Sequence, residues 1–341
     1  KAFAKSFMKK QNIPTARFEI FNLPKAAMDF IKNPKFGNGQ GKEGYPIVIK
    51  ADGLAAGKGV LICNTLAEAE KAIDVIMLKK MFGTSGDKIV IEEFMVGEEA
   101  SILCFTDGET IEPMVTVQDH KRIYDDDQGP NTGGMGCYAP ISIVNPELMQ
   151  KIREKALLPT LAGLKQEKIV YRGVLYVGIM IVNGDPFVLE YNVRFGDPET
   201  QVIMPLLKTD LLKIIEYVNL GKLKDIKIEW ENKHCVSVVI ASAGYPGGFN
   251  KGKLVTGLEK VANLPETMVF HAGTTFPQKE TAQGLIEYDR SKIVTSGGRV
   301  FGVTATGTTL KEAIDRAYEA LPLIQFEGAQ WRQAIGRKGL Q

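Results

Sequence analysis

Apolar and polar positions alternate in short blocks along the first hundred residues. Apolar runs at 46–51 and 60–63 predict two strands on either side of a glycine-rich stretch. A Thr-x-x-Glu capping box at 65–68 precedes apolar residues at helical spacing, which predicts a helix to about Met81. These alternating strands and helices predict a small α/β subdomain over 19–93.

From Gly97 onward the pattern changes to longer β-rich segments. The turn residues at 107–108 and at 183–185 lie between apolar runs, and each predicts a hairpin. The pair Asn145-Pro146 provides a cap and a first helical residue, so a helix is expected to start there. A single further helix is expected over about 202–220.

The remaining stretches complete the predicted organisation. The polar, glycine-rich segment 33–46 predicts an exposed loop. Short apolar strands near the C-terminus, followed by a helix capped by Thr309 and Glu312, predict a separate α+β domain. The fold class is therefore α/β (α+β). Four segments are expected, the first of them a helix that belongs to the central core: 1–18, 19–93, 94–232 and 233–341.

Composition excludes several classes of function. The chain has 341 residues, and its 42 basic and 40 acidic side chains leave a net charge of +2, which provides no footprint for nucleic acid or an anionic membrane. No apolar run approaches a membrane span. The four cysteines are scattered and form no C-x-x-C pair, which indicates reduced thiols and a cytoplasmic location. Because the chain opens with Lys1 rather than Met, we expect a fragment of a longer polypeptide.

The glycine-rich stretch KADGLAAGKGV lies between two strands. Its spacing fits neither the Walker motif nor the dinucleotide fingerprint, and both of those need a helix after the loop. Backbone N–H groups at Gly53, Gly57 and Gly59 suit an anion. Lys50 and Lys58 add positive charge. The stretch predicts a hairpin that covers phosphates, with an ordinary turn and solvated lysines as the alternative.

The stretch VLEYNVRFGDPETQ carries the strongest candidate chemistry. Side chains alternate along a strand, so Glu190 and Asn192 are expected on one face, with Arg194 continuing the alternation on that face. A carboxylate and an amide oxygen form a hard edge for Mg²⁺, which keeps water and phosphate as its other ligands. The arginine can grip a phosphate with two hydrogen bonds. The alternative is an exposed strand face with one ion pair.

Two weaker groups of candidate residues accompany these motifs. An apolar Phe94-Met95 pair lies between the acidic pairs at 92–93 and 98–99, which suits an adenine slot with a carboxylate for the ribose, or a solvated acidic surface. Lys121 and Arg122 end a strand and are candidate phosphate ligands or surface charges. His120 beside them is expected to be structural or at the rim of a site.

Several motifs together resemble one known family. The stretches RFGDPETQ, KADGLAAGKGV, QDHKR and GPNTGGMG, with FHAGT and SGGRV in the tail, are similar to those of the phosphoribosylamine–glycine ligase (glycinamide ribonucleotide synthetase) family of the ATP-grasp superfamily. The resemblance runs through the whole chain. It implies an ATP-grasp fold, with the lid at 19–93 and the central subdomain at 94–232. The family's N-terminal α/β domain is expected to be absent.

The resemblance also implies an activity. Glycine would be joined to phosphoribosylamine through glycyl phosphate, with ATP as co-substrate and Mg²⁺ or Mn²⁺ as cofactor. Fusion to other purine-pathway domains in a multifunctional protein is compatible with this reading. The apolar stretch 173–182 offers no further acidic ligand, which leaves the number of metal ions and the full ligand set open.

The site residues carried over by motif form four groups. ATP would be bound by Lys5, Lys50, Gly53, Gly57, Lys58, Gly59, Glu92, Glu93, Phe94, Met95, Glu99, Arg122 and Asn131. The metal would be held by Glu190 and Asn192. The substrates would be bound by Asp119, Lys121, Arg194, Asp197 and Glu199. The catalytic residues would be Arg122 and Arg194.

The residues alone leave other classes of function open. Another ATP-grasp carboxylate–amine ligase or a carboxylase is one alternative, although RFGDPETQ argues against it. A truncated nucleotide-binding module without turnover is the other. A protein kinase is disfavoured because the chain has neither an HRD nor a DFG motif.

Overall fold

The computed structural model describes residues 1–36, 44–53, 59–280 and 284–340. Gly57 and Lys58, which were predicted to cover phosphates, lie outside these residues. The chain forms two compact units that alternate along the sequence. Unit 1 comprises Lys1–Glu112, Val144–Arg194 and Val218–Leu223, and unit 2 comprises Pro113–Ile143, Phe195–Tyr217 and Lys224–Gln341. The four segments expected from the sequence stay a prediction.

The α-helices in the described part of the chain are mostly short. Their bounds are α1 Ala2–Lys10, α2 Pro24–Ile31, α3 Leu66–Ile73, α4 Pro146–Ile152, α5 Leu158–Gln166, α6 Thr200–Ile203, α7 Leu211–Asn219, α8 Leu258–Val261 and α9 Leu310–Ala320. None of these helices is long and apolar enough to cross a membrane.

The strands fall into two sets. Those up to residue 139 are β1 Phe18–Phe21, β2 Ile47–Ala51, β3 Val60–Cys63, β4 Ile89–Glu93, β5 Glu98–Thr106, β6 Ile111–Pro113, β7 Gln118–Asp119, β8 Arg122–Tyr124, β9 Gln128–Asn131 and β10 Gly136–Ala139. The later ones are β11 Gly173–Val182, β12 Asp185–Asn192, β13 His234–Ser242, β14 Leu254–Val255, β15 Thr267–His271, β16 Thr274–Thr275, β17 Gln278–Glu280, β18 Ile286–Tyr288, β19 Ile293–Thr295, β20 Arg299–Gly307 and β21 Ala329–Gln330.

Unit 1 contains two antiparallel sheets that carry candidate site residues. One has the strand order β1-β4-β2-β3, so the glycine-rich stretch joins neighbouring strands as predicted. Isoleucines of β2 and β4, among them Ile47, Ile49 and Ile91, are fully buried against α2 and α3. The other sheet has the order β12-β11-β5-β6, and the hairpin predicted around 183–185 joins its two strands β11 and β12.

Unit 2 is built around a sheet with the order β15-β20-β13-β10-β7. All residues of β13 and β20 except the first of each are buried, which places this pair at the centre of the core. The predicted C-terminal helix packs here as α9, and the Thr309 side chain caps it by accepting a hydrogen bond from the Glu312 backbone N–H. β7 and β10 bring the motifs QDHKR and GPNTGGMG to this sheet.

Three local predictions were wrong. The single helix over 202–220 is broken into α6 and α7, because Leu207 pairs with Trp230 between them and Asp210 caps the second helix. The helix that starts at 66 ends as an α-helix at Ile73 and continues only to Leu78 as a π-helix. The segment 33–46 is not wholly exposed, since the aromatic rings at 36 and 45 are buried at its two ends.

Candidate functional site

Two lysines converge on one buried carboxylate in unit 1. Lys5 of α1 and Lys50 of β2 place their Nζ atoms 3.0 and 2.8 Å from Glu92 Oε2. The Lys5 Nζ also donates to Thr15 Oγ1 at 2.6 Å. Glu92 is 1 % exposed, and its Oε1 has no hydrogen-bond partner among the described residues. Residues predicted separately for ATP therefore form one cationic cluster.

The electrostatics of this cluster are dominated by burial. Burial lowers the pKa of Lys5 to about 8, although the carboxylate of Glu92 acts in the opposite direction. Burial also lowers the pKa of Lys1. The carboxylate of Glu190 raises this pKa, and the ammonium of Lys50 lowers it. The carboxylate of Glu190, on the predicted metal strand, and the ammonium of Lys50, in the lysine cluster, thus both act on Lys1.

The described ends of the glycine-rich stretch are held by backbone contacts. Ala51 N–H donates to Gly59 O at 2.8 Å, and Gly53 packs so closely against Ser85 that an added Cβ would lie 2.3 Å from its Oγ. A glycine is therefore required at 53 for the close approach itself. The Nζ of Lys1 donates to Ala51 O and Gly53 O at 2.7 and 2.8 Å.

The predicted adenine segment follows the end of β4. The carboxylate of Glu93 accepts hydrogen bonds from Arg17, at 2.8 Å from its N–H and 2.7 Å from its Nε. Phe94 and Met95 are half-buried and lie outside the strand, so their backbone groups are not part of the sheet. Glu99 is half-buried near the start of β5, where it is paired in register with β11.

The candidate metal ligands lie side by side at the end of β12. Asn192 Nδ2 is 3.4 Å from Glu190 Oε1, as the alternation predicted. For the residues that the structure describes, no group of three or more His, Cys, Asp or Glu side chains could hold a metal ion. A carboxylate with one amide nevertheless fits Mg²⁺, because this ion keeps most of its ligands as water and phosphate oxygens.

Arg194 does not continue this alternation. β12 ends at Asn192, residues 193–194 form a bend, and Arg194 is exposed. The prediction that its side chain extends the same strand face was therefore wrong. The alternation is also interrupted earlier, where a register shift opposite Gly178 adds one residue to β12 before Glu190.

In unit 2 the sequence motifs meet around Asp119. Gly134 has φ +112°, and an added Cβ there would lie 2.8 Å from Asp119 Oδ1 and 2.4 Å from Pro198 Cδ. The motifs GPNTGGMG, QDHKR and RFGDPETQ are thus in direct contact. Glu199 is buried, and the close packing at Gly196 would place an added Cβ 2.3 Å from Glu199 Oε2.

Arg299 was not among the site residues predicted from the sequence. Its Nη2 lies 2.9 Å from Asp197 Oδ2, and its Nη1 donates to Asp197 O and Gly133 O at 3.0 and 2.8 Å. Gln201 Nε2 donates to the other oxygen of the same carboxylate at 2.9 Å. The motif SGGRV, which contains Arg299, was the available signal.

Arg122 and Asn131 are paired directly across the β8–β9 hairpin. The Arg122 Nη1 donates to Gly129 O at 2.6 Å, so the guanidinium lies along its own hairpin. Lys121 O accepts hydrogen bonds from the Thr132 N–H and hydroxyl at 2.7 and 2.8 Å. The neighbouring His120 is buried, in agreement with the structural role expected for it.

Comparison with known proteins identifies the family. The model of the phosphoribosylglycinamide synthetase ATP-grasp (A) domain matches residues 1–200, and that of the phosphoribosylglycinamide synthetase C domain matches residues 235–338. The chain belongs to the phosphoribosylglycinamide synthetase family. The family resemblance, the ATP-grasp fold and the class of ATP-dependent ligase expected from the sequence are confirmed.

Individual relatives cover almost all of this chain. It is 48% identical over 335 residues to the phosphoribosylamine–glycine ligase of Caldanaerobacter subterraneus, which covers 98% of this chain and 75% of the relative. It is 46% identical over 341 residues to the trifunctional purine biosynthetic protein adenosine-3 of Gallus gallus, of which it spans 32%. A crystal structure of the Thermotoga maritima phosphoribosylamine–glycine ligase aligns with a TM-score of 0.80 and 39% identity over 98% of this chain and 78% of that one.

Proposed function

We propose that this chain carries out the ATP-dependent ligation of glycine to phosphoribosylamine, which yields glycinamide ribonucleotide, ADP and phosphate. The observation that carries this proposal is the convergence of Lys5 and Lys50 on the buried carboxylate of Glu92. Such a cluster suits a polyphosphate, and the family to which the chain belongs contains ligases of this name.

The chemistry divides into two steps. A carboxylate oxygen of glycine attacks the γ-phosphorus of ATP, the bond to the β,γ-bridging oxygen breaks, and ADP leaves with that electron pair. The amine nitrogen of phosphoribosylamine then attacks the carbonyl carbon of glycyl phosphate. Phosphate leaves as the amide forms, and the nitrogen loses a proton. Water must be kept from the acyl phosphate between the two steps.

Lys5 and Lys50 would neutralise the phosphates of ATP. Each of the two lysines is held by Glu92 Oε2, so the ammonium groups are already placed before a nucleotide arrives. Preorganised charges of this kind stabilise a phosphoryl transfer because they need no rearrangement during the reaction. Glu92 itself is buried between them, so its role in this proposal is to position the two lysines rather than to contact adenine.

Glu190 and Asn192 would hold Mg²⁺ or Mn²⁺ through their side-chain oxygens. When bound, the ion would neutralise charge on the phosphate oxygens. The adenine ring would be recognised by backbone groups of Phe94 and Met95, because the carboxylates at 92 and 93 are engaged by basic side chains. Glu99 would accept hydrogen bonds from the ribose hydroxyls.

The substrate side of the reaction is assigned to residues of the RFGDPETQ motif and QDHKR. Arg194 would bind a phosphate or carboxylate of the substrates, and Asp119, Lys121 and Glu199 are assigned to substrate binding in the same proposal. Asp197 is held from both sides by Arg299 and Gln201, so it orders this turn. Arg122 and Asn131 would lie at the phosphate side of the nucleotide.

A cytoplasmic location and fusion to other purine-pathway domains belong to the same proposal. Support for the location comes from the cysteines, which are all free and buried. Support for fusion comes from the trifunctional relatives of chicken and human.

A phosphate-release assay tests the proposal. We expect release to require ATP, Mg²⁺, glycine and phosphoribosylamine together, and Glu190→Gln to remove it while the exposed Glu147→Gln leaves it unchanged. Activity with another amine or carboxylic acid in place of these substrates would instead favour a different ATP-grasp ligase or carboxylase. ATP binding without release under any of these conditions would favour a nucleotide-binding module.

A further inference from the structure

The β8–β9 hairpin is fastened to the C-terminal segment 330–338 by one buried arginine. Arg332 is 2 % exposed, and its Nη1 donates to Arg122 O at 3.0 Å and to Asp127 Oδ1 at 3.1 Å. The two ends of the hairpin, its first residue and its turn, are therefore held by the same guanidinium group.

Further polar contacts join the turn of the hairpin to the same segment. The backbone N–H of Gln333 donates to both carboxylate oxygens of Asp125, at 3.0 and 3.2 Å. Lys338 Nζ donates to the second oxygen of Asp127. These contacts link the turn to residues 205 to 211 positions away in the sequence.

The turn needs such restraints. Asp126 and Asp127 have φ of +55° and +52°, a left-handed backbone that residues with a side chain adopt unfavourably. A cavity of about 350 Å³ lies beside the contacts, with Ile123, Met135 and Trp331 among its lining residues. Asp126 and Asp127 are exposed, so the turn itself has little packing and the polar contacts hold it.

The C-terminal segment is itself anchored to a rigid element. Tyr318 of α9 donates its hydroxyl hydrogen to Arg332 O at 2.7 Å, and the Tyr318 hydroxyl oxygen accepts a hydrogen bond from Ile335 N–H at 3.0 Å. α9 packs on the central strands β13 and β20 of unit 2. A continuous set of contacts therefore leads from the core of unit 2 through Arg332 to the backbone of Arg122.

We propose that Arg332 is a positioning residue that sets where Arg122 and Asn131 meet the nucleotide. It acts through the backbone of the β8–β9 hairpin, in which these two residues are directly paired. The inference rests on the proposed function, in which Arg122 and Asn131 contact the phosphate side of ATP.

Hydrogen exchange and equilibrium ATP binding test this inference on the whole chain. Arg332→Met should speed amide exchange over 122–131 and weaken ATP binding about tenfold, because a displaced hairpin would lose about one charge-assisted hydrogen bond from Arg122 to the nucleotide. In turnover, KM for ATP should rise while KM for glycine stays within twofold. Arg332→Lys keeps the charge with a single donor group, and we expect it to restore part of the lost affinity.

Two control variants separate positioning from general stability. Lys338→Met removes a contact to the turn but none to Arg122, so faster exchange should be confined to 125–127. Lys253→Met removes an ion pair with Glu327 elsewhere in unit 2 and should change neither readout.

Four results would overturn the inference. Unchanged exchange over 122–131 in Arg332→Met would show that the arginine does not hold the hairpin. Uniformly faster exchange throughout unit 2 would show a structural role only, and so would failure of both Arg332 variants to fold. Faster hairpin exchange with unchanged ATP affinity would disconnect Arg332 from the nucleotide. Absence of glycine-dependent phosphate release in the unmodified chain would count against the proposed function alone, because the exchange measurement does not depend on turnover.

Discussion

Gly178 lies directly opposite Glu190 across the antiparallel strands β11 and β12, and its missing side chain leaves the space that the glutamate occupies. A Cβ at Gly178 would lie 3.3 Å from Glu190 Cγ and 3.5 Å from Tyr176 Cε1. The tyrosine ring is buried and its hydroxyl is 2.8 Å from the Ser101 hydroxyl, so it has little freedom to move. An added methyl group would therefore displace the glutamate side chain.

Gly178→Ala should weaken the metal site without removing either proposed ligand. A displacement of a few tenths of an ångström at Glu190 Cγ changes the position of its carboxylate relative to Asn192. We expect the Mg²⁺ concentration for half-maximal activity to rise about tenfold, or about 1.4 kcal/mol. Gly248→Ala is the matched control, since an added Cβ there meets nothing within 4 Å. An unchanged Mg²⁺ requirement in Gly178→Ala would show that Glu190 does not hold the ion.

The Lys5 ammonium should make the use of ATP depend on pH. The pKa of Lys5 is lowered to about 8 by burial, so its charged fraction falls as the pH rises from 7 to 9. Loss of that proton changes the charge of Lys5, Lys50 and Glu92 together from +2 − 1 = +1 to +1 − 1 = 0. kcat/KM for ATP, which reports on the free enzyme, should therefore fall with an inflection near pH 8.

Lys5→Met should remove this inflection and lower kcat/KM for ATP at pH 7 by about tenfold, the effect of one lost charge-assisted hydrogen bond. The exposed Lys25→Met should retain the inflection of the unmodified chain. If Lys5→Met showed the same inflection near pH 8, another group would be responsible for it.

Local patterns in the sequence predicted the elements that depend on neighbouring residues. The hairpin at 183–185 and the cap at Thr309 are confirmed because both are set by residues within a few positions of one another. The helix at 202–220 was wrong because a distant contact, Leu207 with Trp230, interrupts it. Pro205 and the cap at Asp210 were the local signs of the break.

In the candidate site, too, contacts between neighbouring residues could be predicted and contacts between distant residues could not. Alternation along β12 was sufficient to place Glu190 beside Asn192. The pairing of Lys5 with Glu92 joins α1 to β4, and Arg299 reaches Asp197 across 102 positions of the chain. No periodicity connects residues so far apart. The bend after Asn192 is likewise invisible to an alternation rule, which assumes that the strand continues.

His120 should make the stability of unit 2 depend on pH. Burial, together with the nearby Arg332 guanidinium, lowers the pKa of His120 to about 4 in the folded protein, against about 6.5 when unfolded. Below pH 6.5 the unfolded chain binds the proton and the folded chain does not, so stability is lost as the pH falls toward 4. Between pH 7 and pH 4.5 this loss is about 2–3 kcal/mol.

Urea unfolding of His120→Gln at these two pH values isolates the contribution. The glutamine cannot titrate, so the variant should lose about 2–3 kcal/mol less than the unmodified chain on acidification. The exposed His271→Gln should behave like the unmodified chain. Equal losses in His120→Gln and the unmodified chain would show that His120 becomes charged without opposing the fold.

Arg194→Lys should separate substrate binding from nucleotide binding. Arg194 is exposed just beyond the end of β12, two residues after Asn192, and a guanidinium there can bind a phosphate or carboxylate with two parallel hydrogen bonds. A lysine keeps the charge but not this geometry. Losing a charge-assisted hydrogen bond changes the binding free energy by about 1.5–3 kcal/mol, so kcat/KM for glycine or phosphoribosylamine should fall about ten- to a hundredfold. KM for ATP should stay within twofold, and the exposed Arg290→Lys should alter neither value. A fall in ATP affinity with unchanged kcat/KM for glycine and phosphoribosylamine would move Arg194 from the substrate site to the nucleotide site.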